Sequence, residues 1–190
     1  YKLMIENRLF YISVYTFSIS DWKNKKKIIL DSLPDFKKYK LEKSKNSGHG
    51  DNNHYTDYFE NLKEPPEYAS TILDCVDDEV KSFCASTQEG WNLNAIWFQS
   101  YEKYNNFKVH NHGIGGWSAV LYVEFDDEEH SATTFYSPHM SNNRSMLGQY
   151  ETYEPKVKEG DLIIFPSIIQ HEASTNMSDK RRTIISFNLK

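Results

Sequence analysis

The chain has 190 residues and a formal net charge of −5, with 22 Lys and Arg residues interspersed among 27 Asp and Glu residues. This length suits one domain with a substantial hydrophobic core. The interspersed charges form no basic patch of the kind that binds nucleic acid, and no apolar run is long enough to span a bilayer. We therefore expect neither a nucleic-acid partner nor a membrane partner.

The two cysteines indicate a reducing compartment. Cys75 and Cys84 are nine residues apart on a predicted helix, so they lie on opposite sides of it and cannot pair with each other. No signal peptide is visible in the sequence. Because free thiols are typical of the cytoplasm, we expect a cytoplasmic protein.

The first third of the chain predicts one strand, two short helices and a loop. Residues 9–17 are rich in β-branched and aromatic side chains, which favours a strand. A helix is expected over residues 23–33, and a short helix or coil over residues 35–43. Residues 44–56 have the composition of a mobile loop, which we interpret as a lid. Its histidines, His49 and His54, are not expected to bind metal, because metal sites are built on rigid elements.

One clearly amphipathic helix follows Pro65-Pro66, since proline is favoured in the first helical turn. Its apolar residues recur at near-helical spacing and form a stripe that ends near Cys84: Tyr68, Ile72, Val76, Val80 and Phe83. We expect this stripe to pack against the outer face of a β-rich structure.

The next segment brings two histidines close together. Residues 91–101 and 106–110 are predicted to form an antiparallel hairpin that leads to His110 and His112. Two residues at i and i+2 on a strand point to the same side. Imidazole is a ligand for iron, zinc, copper and nickel, so the pair indicates a divalent metal site.

Further strands are expected over residues 117–125 and 133–137, and a polar loop over residues 138–153 is of the kind that closes over a substrate. The apolar run of residues 162–165 ends at Pro166 and predicts a strand buried on both faces. A third histidine, His171, follows this strand.

The last strand alternates in polarity. Ile185, Phe187 and Leu189 fall on one face, whereas Arg182, Ser186 and Asn188 share the other face with Ile184. A face of this composition lies either on a wet surface or along a polar cavity. The upstream histidine pair favours the cavity.

The order of these features resembles the iron(II)- and 2-oxoglutarate-dependent oxygenases, and it is closest to the small oxygenases of this type that are common in bacteriophage and marine microbial genomes. The resemblance is carried by His110-x-His112, Trp117–Val123, Gly160–Ser167, His171, Asn176 and Arg182–Asn188. It covers residues 91–189 well and the N-terminal half loosely.

This resemblance implies a mainly β fold with flanking helices: a double-stranded β-helix, that is, a cupin-like jelly roll whose open mouth holds the metal. The expected organisation is a single oxygenase domain over residues 1–190. Residues 1–90 would form an N-terminal strand and a helical layer, and residues 91–190 would form the β-helix core with the metal site.

The resemblance also implies the site residues. His110, His112 and His171 would be the catalytic ligands of Fe(II), to which 2-oxoglutarate and dioxygen bind. Arg182 would bind the far carboxylate of the co-substrate, and Arg181, on the opposite face, is the second choice. Further expected co-substrate contacts are Ser186, Tyr122 and Ser118. The larger superfamily has a carboxylate as its second metal ligand, whereas His112 occupies that place in this chain.

The expected reaction is hydroxylation of a small-molecule or protein side-chain substrate, with decarboxylation of 2-oxoglutarate to succinate. Two alternatives stay open. A cupin-like metal-binding protein or enzyme that does not use 2-oxoglutarate would keep the histidines without needing Arg182, and a non-catalytic β-sandwich module would bind no metal. Residues 113–117 lack the glutamate of the first cupin motif, which favours the oxygenase.

Overall fold

The computed structural model describes residues 12–39, 53–61, 64–88, 90, 92–140 and 150–190. Its helices are α1 (Trp22–Ser32) and α2 (Ala69–Thr87), with a 3-10 turn over Phe36–Tyr39 between them. Its strands are β1 (Tyr15–Ser18), β2 (Tyr55–Thr56), β3 (Leu93–Tyr101), β4 (Phe107–His110), β5 (Trp117–Glu124), β6 (Thr133–Met140), β7 (Tyr150–Tyr153), β8 (Asp161–Pro166), β9 (His171–Ala173) and β10 (Arg182–Leu189).

The strands form two antiparallel sheets. The larger sheet has the order β1-β8-β5-β10-β3-β2, and the smaller sheet has the order β4-β9-β6-β7. From β3 onward the chain passes repeatedly from one sheet to the other, so strands adjacent in sequence are mostly not adjacent in a sheet. This alternation rolls the two sheets around a common interior. The predicted mainly β fold with flanking helices is confirmed.

The outer face of the larger sheet packs against the helices. Ile185, Phe187 and Leu189 of β10 belong to one buried cluster with the apolar stripe of α2. Within α2, Ile72, Val76, Val80 and Phe83 are at most 1% exposed. The predicted stripe and its place outside the roll are therefore confirmed.

The interior of the roll contains a second apolar cluster. Ile163 and Phe165 of β8 join it, whereas Leu162 and Ile164 of the same strand face the helices. The prediction that this strand is buried on both faces is confirmed. Phe135 of β6 closes the interior from the smaller sheet.

The predicted hairpin of residues 91–101 and 106–110 is wrong. Both edges of β3 are already occupied, by β10 and by β2, so β4 pairs with β9 in the smaller sheet instead. The intervening turn contains Tyr104 with φ 68°. Asn176 holds this turn: its side-chain nitrogen donates to the Tyr101 carbonyl at 3.0 Å, and its own carbonyl accepts from the Tyr104 amide at 2.7 Å.

Both predicted lid loops lie mainly outside the described residues, as do residues 9–11 and His49. The ends of the loops that are described are ordered into strands: β2 at residues 55–56, and the ends of β6 and β7 at residues 138–140 and 150–153. The lid function stays a prediction.

Among the described residues, no helix is long and apolar enough to cross a membrane. Cys75 and Cys84 both lie on α2 and are free thiols. The cytoplasmic location stays a prediction.

Gly116 ends the bend between the histidine pair and β5. Its φ of +84° is unfavourable for residues with a side chain, and a Cβ atom would overlap the Leu189 carbonyl oxygen and lie 2.9 Å from Cγ of Lys190. Gly113 has a similar φ of +90° but open space around its Cα. The two glycines therefore share a backbone requirement and differ in their contacts.

We expect Gly116→Ala to lower the free energy of unfolding by more than the ~1–3 kcal/mol typical of backbone strain alone, because the added methyl group collides with the end of β10. Gly113→Ala should show the strain without the collision. Urea denaturation of both variants measures the difference, and equal destabilisation would contradict the tight approach of Gly116 to β10.

Candidate metal centre

Three histidines meet at one end of the interior. His110 ends β4 and His171 begins β9, and the antiparallel pairing places these two residues directly opposite each other. His112 follows two residues after His110, and its backbone N–H donates to the Ser167 carbonyl at 2.9 Å. One nitrogen atom from each ring lies within 4.8 Å of the others. Three imidazoles at this separation can share one metal ion, whose bonds to nitrogen are about 2.0–2.1 Å long.

The proximity of His110 and His112 does not arise from a continuous strand, as the sequence predicted, because β4 ends at His110. Their rings are nevertheless side by side, with centroids 5.3 Å apart. The hydrogen bond between His112 and Ser167 keeps the irregular segment close to the end of β8.

Each histidine is held through its Nδ1 atom. Nδ1 of His110 lies 2.7 Å from the Lys108 carbonyl, and Nδ1 of His171 lies 2.8 Å from the Ile169 carbonyl. Nδ1 of His112 lies 2.8 Å from the side-chain oxygen of Asn188. Because these oxygens can only accept, each Nδ1 carries the proton and each Nε2 keeps a lone pair for a metal.

The environment favours the neutral form of His112 and His171. Burial and the neighbouring His110 and His112 hold the pKa of His171 well below its usual value. Burial also lowers the pKa of His112, although its hydrogen bond to Asn188 acts in the opposite direction. Neutral imidazole is the metal-binding form. The cluster contains no carboxylate from the described part of the chain.

His112 depends on side chains from other strands, unlike the other two histidines. The hydroxyl of Ser118 donates to the Asn188 oxygen at 2.9 Å and lies 2.9 Å from the Ser167 hydroxyl and 2.8 Å from Nδ1 of His112. These contacts explain Ser118 as a support for His112, and its predicted contact with the co-substrate stays a prediction. Sequence reasoning did not assign Asn188 to the site, although its position on the polar face of β10 was a usable signal.

Arg182 is a buried cation on the same face of β10. It is 2% exposed, and its Nη1 and Nη2 atoms donate to the carbonyls of Ser131 and Ser174 at 2.8 and 2.9 Å. Its Nε has no partner, and no carboxylate forms an ion pair with it among the described residues. Burial lowers its pKa, but guanidinium stays charged in proteins. Because a buried charge is stabilised by a counter-charge, Arg182 is a candidate site for an anion.

Tyr101 is a site residue that the sequence did not reveal. It pairs with Arg182 across β3 and β10, and its ring lies 4.4 Å from the guanidinium carbon. Its hydroxyl is buried without a hydrogen-bond partner among the described residues, and burial raises its pKa. Its position at the end of the predicted strand 91–101 was the only signal available from the sequence.

Tyr122, which the sequence favoured, is already bonded. Its hydroxyl lies 2.9 Å from the hydroxyl of Thr133 and accepts from the Thr133 amide at 3.0 Å, and burial raises its pKa to about 12. Ser186 likewise donates to the side-chain oxygen of Gln99 at 3.0 Å. For both residues the predicted contact with a co-substrate stays a prediction.

Arg181 points out of the interior. Its guanidinium binds both carboxylate oxygens of Glu124 at 2.7 and 2.8 Å and stacks on Phe36 at 4.4 Å. The two arginines therefore lie on opposite faces of the sheet, as their alternation along the chain predicts.

The histidines are surrounded by exposed apolar side chains. Ile114 is 90% exposed, and Val109 and Ile168, which are close in sequence to His110 and His171, are also exposed. The ring of Trp97 lies 5.4 Å from that of His112, and Tyr58 lies 5.0 Å from Trp97. The mouth of the roll thus has an apolar, partly aromatic rim.

These residues fit a divalent metal together with an anionic co-substrate. Three Nε2 lone pairs converge at the mouth, and a buried guanidinium without a counter-ion lies on the same inner face of the larger sheet. Trp97, Gln99 and Tyr101 of β3 line the interior between these two positions.

We expect Asn188→Ala to weaken metal binding by about tenfold to a hundredfold, as is typical when the partner of a ligating histidine is removed. The physical reason is that Nδ1 of His112 loses its acceptor and the ring loses its fixed orientation. Competition with a chromogenic chelator measures the affinity. Ser186→Ala on the same face is the control, because Ser186 contacts Gln99 and not His112. Equal affinities of Asn188→Ala and wild type would contradict this role.

Comparisons with solved structures agree with this architecture. A viral collagen prolyl hydroxylase from Paramecium Bursaria Chlorella virus-1 is 12% identical, with a TM-score of 0.60 over 93% of this chain and 94% of that chain. A Pseudomonas putida prolyl-4-hydroxylase is 11% identical, with a TM-score of 0.61 over 94% and 92%. The non-heme alpha ketoglutarate dependent carbocyclase SnoK from nogalamycin biosynthesis is 11% identical, with a TM-score of 0.61 over 94% and 79%. These similarities identify the fold as the predicted double-stranded β-helix.

The chain matches none of the curated protein sequences with which it was compared. Residues 95–188 match the family described as "Putative 2OG-Fe(II) oxygenase". The matched segment contains the three histidines and Arg182, and it favours the oxygenase over the cupin-like and non-catalytic alternatives. The segment that contains this site therefore matches the 2OG-Fe(II) oxygenase family, whose members use Fe(II), 2-oxoglutarate and dioxygen.

Proposed function

We propose that the protein hydroxylates an unactivated C–H bond of its substrate while it converts 2-oxoglutarate and dioxygen to succinate and carbon dioxide. In this proposal His110, His112 and His171 hold the iron, and Arg182 binds the distal carboxylate of 2-oxoglutarate. The substrate is a small molecule or a protein side chain.

The observation that carries the proposal is the pairing of two positive positions in one interior. The three imidazoles carry no negative charge, so a bound Fe(II) keeps its double charge, and Arg182 forms no ion pair among the described residues. A dicarboxylate supplies a negative group to each position. Arginine suits the distal carboxylate because its fork accepts two parallel hydrogen bonds.

The residues of this chain bind and orient the reactants. When bound, iron would activate dioxygen, and the oxidation of 2-oxoglutarate to succinate and carbon dioxide would supply two of the four electrons that reduce it, so that one oxygen atom is left for the substrate. The local hydrogen bonds of His110 and His171 and the Asn188 network of His112 point all three Nε2 atoms at one position. Phe165, Ile163 and Ile184 line the interior with apolar surface that excludes water.

The rim indicates how a substrate approaches. The ring of Trp97 packs against His112 and that of Tyr58 packs against Trp97, and Ile114 and Ile168, which are close in sequence to the histidines, are exposed. These side chains offer a substrate apolar surface near the metal ligands. We infer that its target carbon is carried on an apolar part of the molecule.

Succinate formation tests the proposed reaction directly. Purified protein supplied with Fe(II), 2-oxoglutarate and air should form succinate slowly even without a substrate, because the co-substrate and dioxygen both bind at the metal. Removal of the metal with a chelator should abolish this turnover, and added Fe(II) should restore it. Metal-loaded protein that binds 2-oxoglutarate but forms no succinate would contradict the proposed decarboxylation.

We expect Arg182→Ala to raise the dissociation constant for 2-oxoglutarate more than tenfold, because loss of one partner from a buried charge pair typically costs about 2–5 kcal/mol. Absorption of the anaerobic Fe(II) protein during titration with 2-oxoglutarate measures the constant. Metal content should stay at the wild-type level.

Arg181→Ala is the matched control. It removes the same charge from the neighbouring residue, but the contacts that it breaks, with Glu124 and Phe36, lie on the outer face. Its affinity for 2-oxoglutarate should remain within about twofold of wild type. A larger effect of Arg181→Ala than of Arg182→Ala would contradict the assignment of the co-substrate pocket.

A further inference from the structure

His54 is a buried histidine that the proposed chemistry does not yet use. It lies in the N-terminal half of the chain, just before β2, yet it is only 3% exposed. Its neighbour Asn53 forms a bridge to Asn106 at the seam between the two sheets. His54 is not a member of the three-histidine cluster. Its burial shows that the end of the segment predicted to be a mobile loop is part of the packed structure.

The ring of His54 links the two ends of the interior. One face stacks on Tyr101, with centroids 5.2 Å apart and planes 17° apart. The ring also packs against Phe107 at 4.7 Å, and Phe107 in turn stacks on His110 at 3.9 Å. Because Tyr101 also contacts Arg182, His54 lies between the buried cation and the metal centre.

The hydrogen bonds around His54 define its tautomer. Ser186 donates to the side-chain oxygen of Gln99, so the amide nitrogen of Gln99 faces Nε2 of His54 at 3.5 Å. An amide nitrogen can only donate, and therefore Nε2 accepts and Nδ1 carries the proton. Burial, together with the nearby charges of His110 and Arg182, lowers the pKa of His54 to about 3, although the Asn106 backbone partly opposes this shift. The ring is thus a neutral donor at working pH.

This donor has no well-aligned acceptor. Nδ1 of His54 is buried and makes no hydrogen bond of ordinary length and angle with any described residue, although the Asn106 backbone lies close enough to raise the pKa of the ring. The Tyr101 hydroxyl and Nε of Arg182 are likewise buried without a hydrogen-bond partner among the described residues. Leaving a buried donor without a partner is unfavourable, and here three such donors belong to three side chains that contact one another in series. A bound anion with several acceptor oxygens is the kind of partner that these donors lack.

We propose that His54 is a further co-substrate contact, whose Nδ1–H donates a hydrogen bond to the distal carboxylate of 2-oxoglutarate beside Arg182 and Tyr101. This inference rests on the proposed function. It gives the N-terminal half of the chain a direct part in co-substrate binding, in addition to its role in covering the β-helix.

Three substitutions separate the hydrogen bond from the stacking. His54→Phe keeps a flat ring between Tyr101 and Phe107 but removes both nitrogens. His54→Asn keeps a donor close to the position of Nδ1, and His54→Gln places the amide one bond further out, near the position of Nε2. Each protein is loaded with Fe(II) without oxygen and titrated with 2-oxoglutarate, and the titration is repeated with 2-oxobutyrate, a keto acid that lacks the distal carboxylate.

We expect His54→Phe to bind 2-oxoglutarate at least about tenfold more weakly than wild type, as for loss of a hydrogen bond to a charged group. Its affinity for 2-oxobutyrate should be unchanged. His54→Asn should recover part of the lost affinity, and His54→Gln should recover less. Unchanged binding of 2-oxoglutarate by His54→Phe would overturn the inference, and so would an equal loss for both keto acids, which would indicate an effect through Phe107 on the metal.

Different experimental results would overturn the proposed function and the inference about His54. If loaded wild-type protein binds no 2-oxoglutarate, the proposed function is overturned and the inference falls with it. If wild type binds and His54→Phe is unaffected, only the inference is overturned. If the unfolding midpoint shows that His54→Phe does not fold, the affinities of His54→Asn and His54→Gln for 2-oxoglutarate are compared instead. Tighter binding by His54→Asn supports the inference, and equal or weaker binding by His54→Asn overturns it.

Discussion

The burial of β10 on both faces is the constraint on which the rest of the structure depends. Every residue of this strand is buried, and the strand pairs with β5 on one side and β3 on the other. Its alternation separates an apolar face, which packs on α2, from an inner face that carries Arg182, Ser186 and Asn188. The outer packing supplies stability through apolar burial. It thereby holds the polar inner face in the interior, where its groups must find partners.

The charges of the interior are unbalanced in a way that suits a dicarboxylate. Three imidazoles, with no carboxylate beside them among the described residues, would leave a divalent metal with its full charge, and Arg182 adds a second positive position. In the superfamily's usual site a protein carboxylate offsets part of the metal's charge. In the proposed site His112 takes that place, so a bound anion would contribute more of the neutralisation. Co-substrate binding should accordingly have a larger electrostatic component than in a site with a protein carboxylate.

The structure divides its side chains between stability and function. The contacts outside the roll are conventional: an apolar stripe on α2 and the ion pair between Arg181 and Glu124. Inside, several donors are buried without acceptors, which destabilises the free protein. Buried donors without acceptors are expected where a bound ligand supplies the missing hydrogen bonds. Asn176 and Ser118, in contrast, are fully engaged and serve to hold the turn before β4 and the ring of His112.

The sequence by itself determined which residues share a face and which pattern they form. The two-residue period placed Arg182 inward and Arg181 outward, and the order of the histidines predicted a metal site, because these are local properties of the chain. Only the tertiary structure decided which strands are neighbours: that β4 pairs with β9, that Asn188 meets His112, and that His54 reaches Tyr101. These contacts join residues far apart in sequence, and they follow from the pairing of strands, which no local pattern specifies.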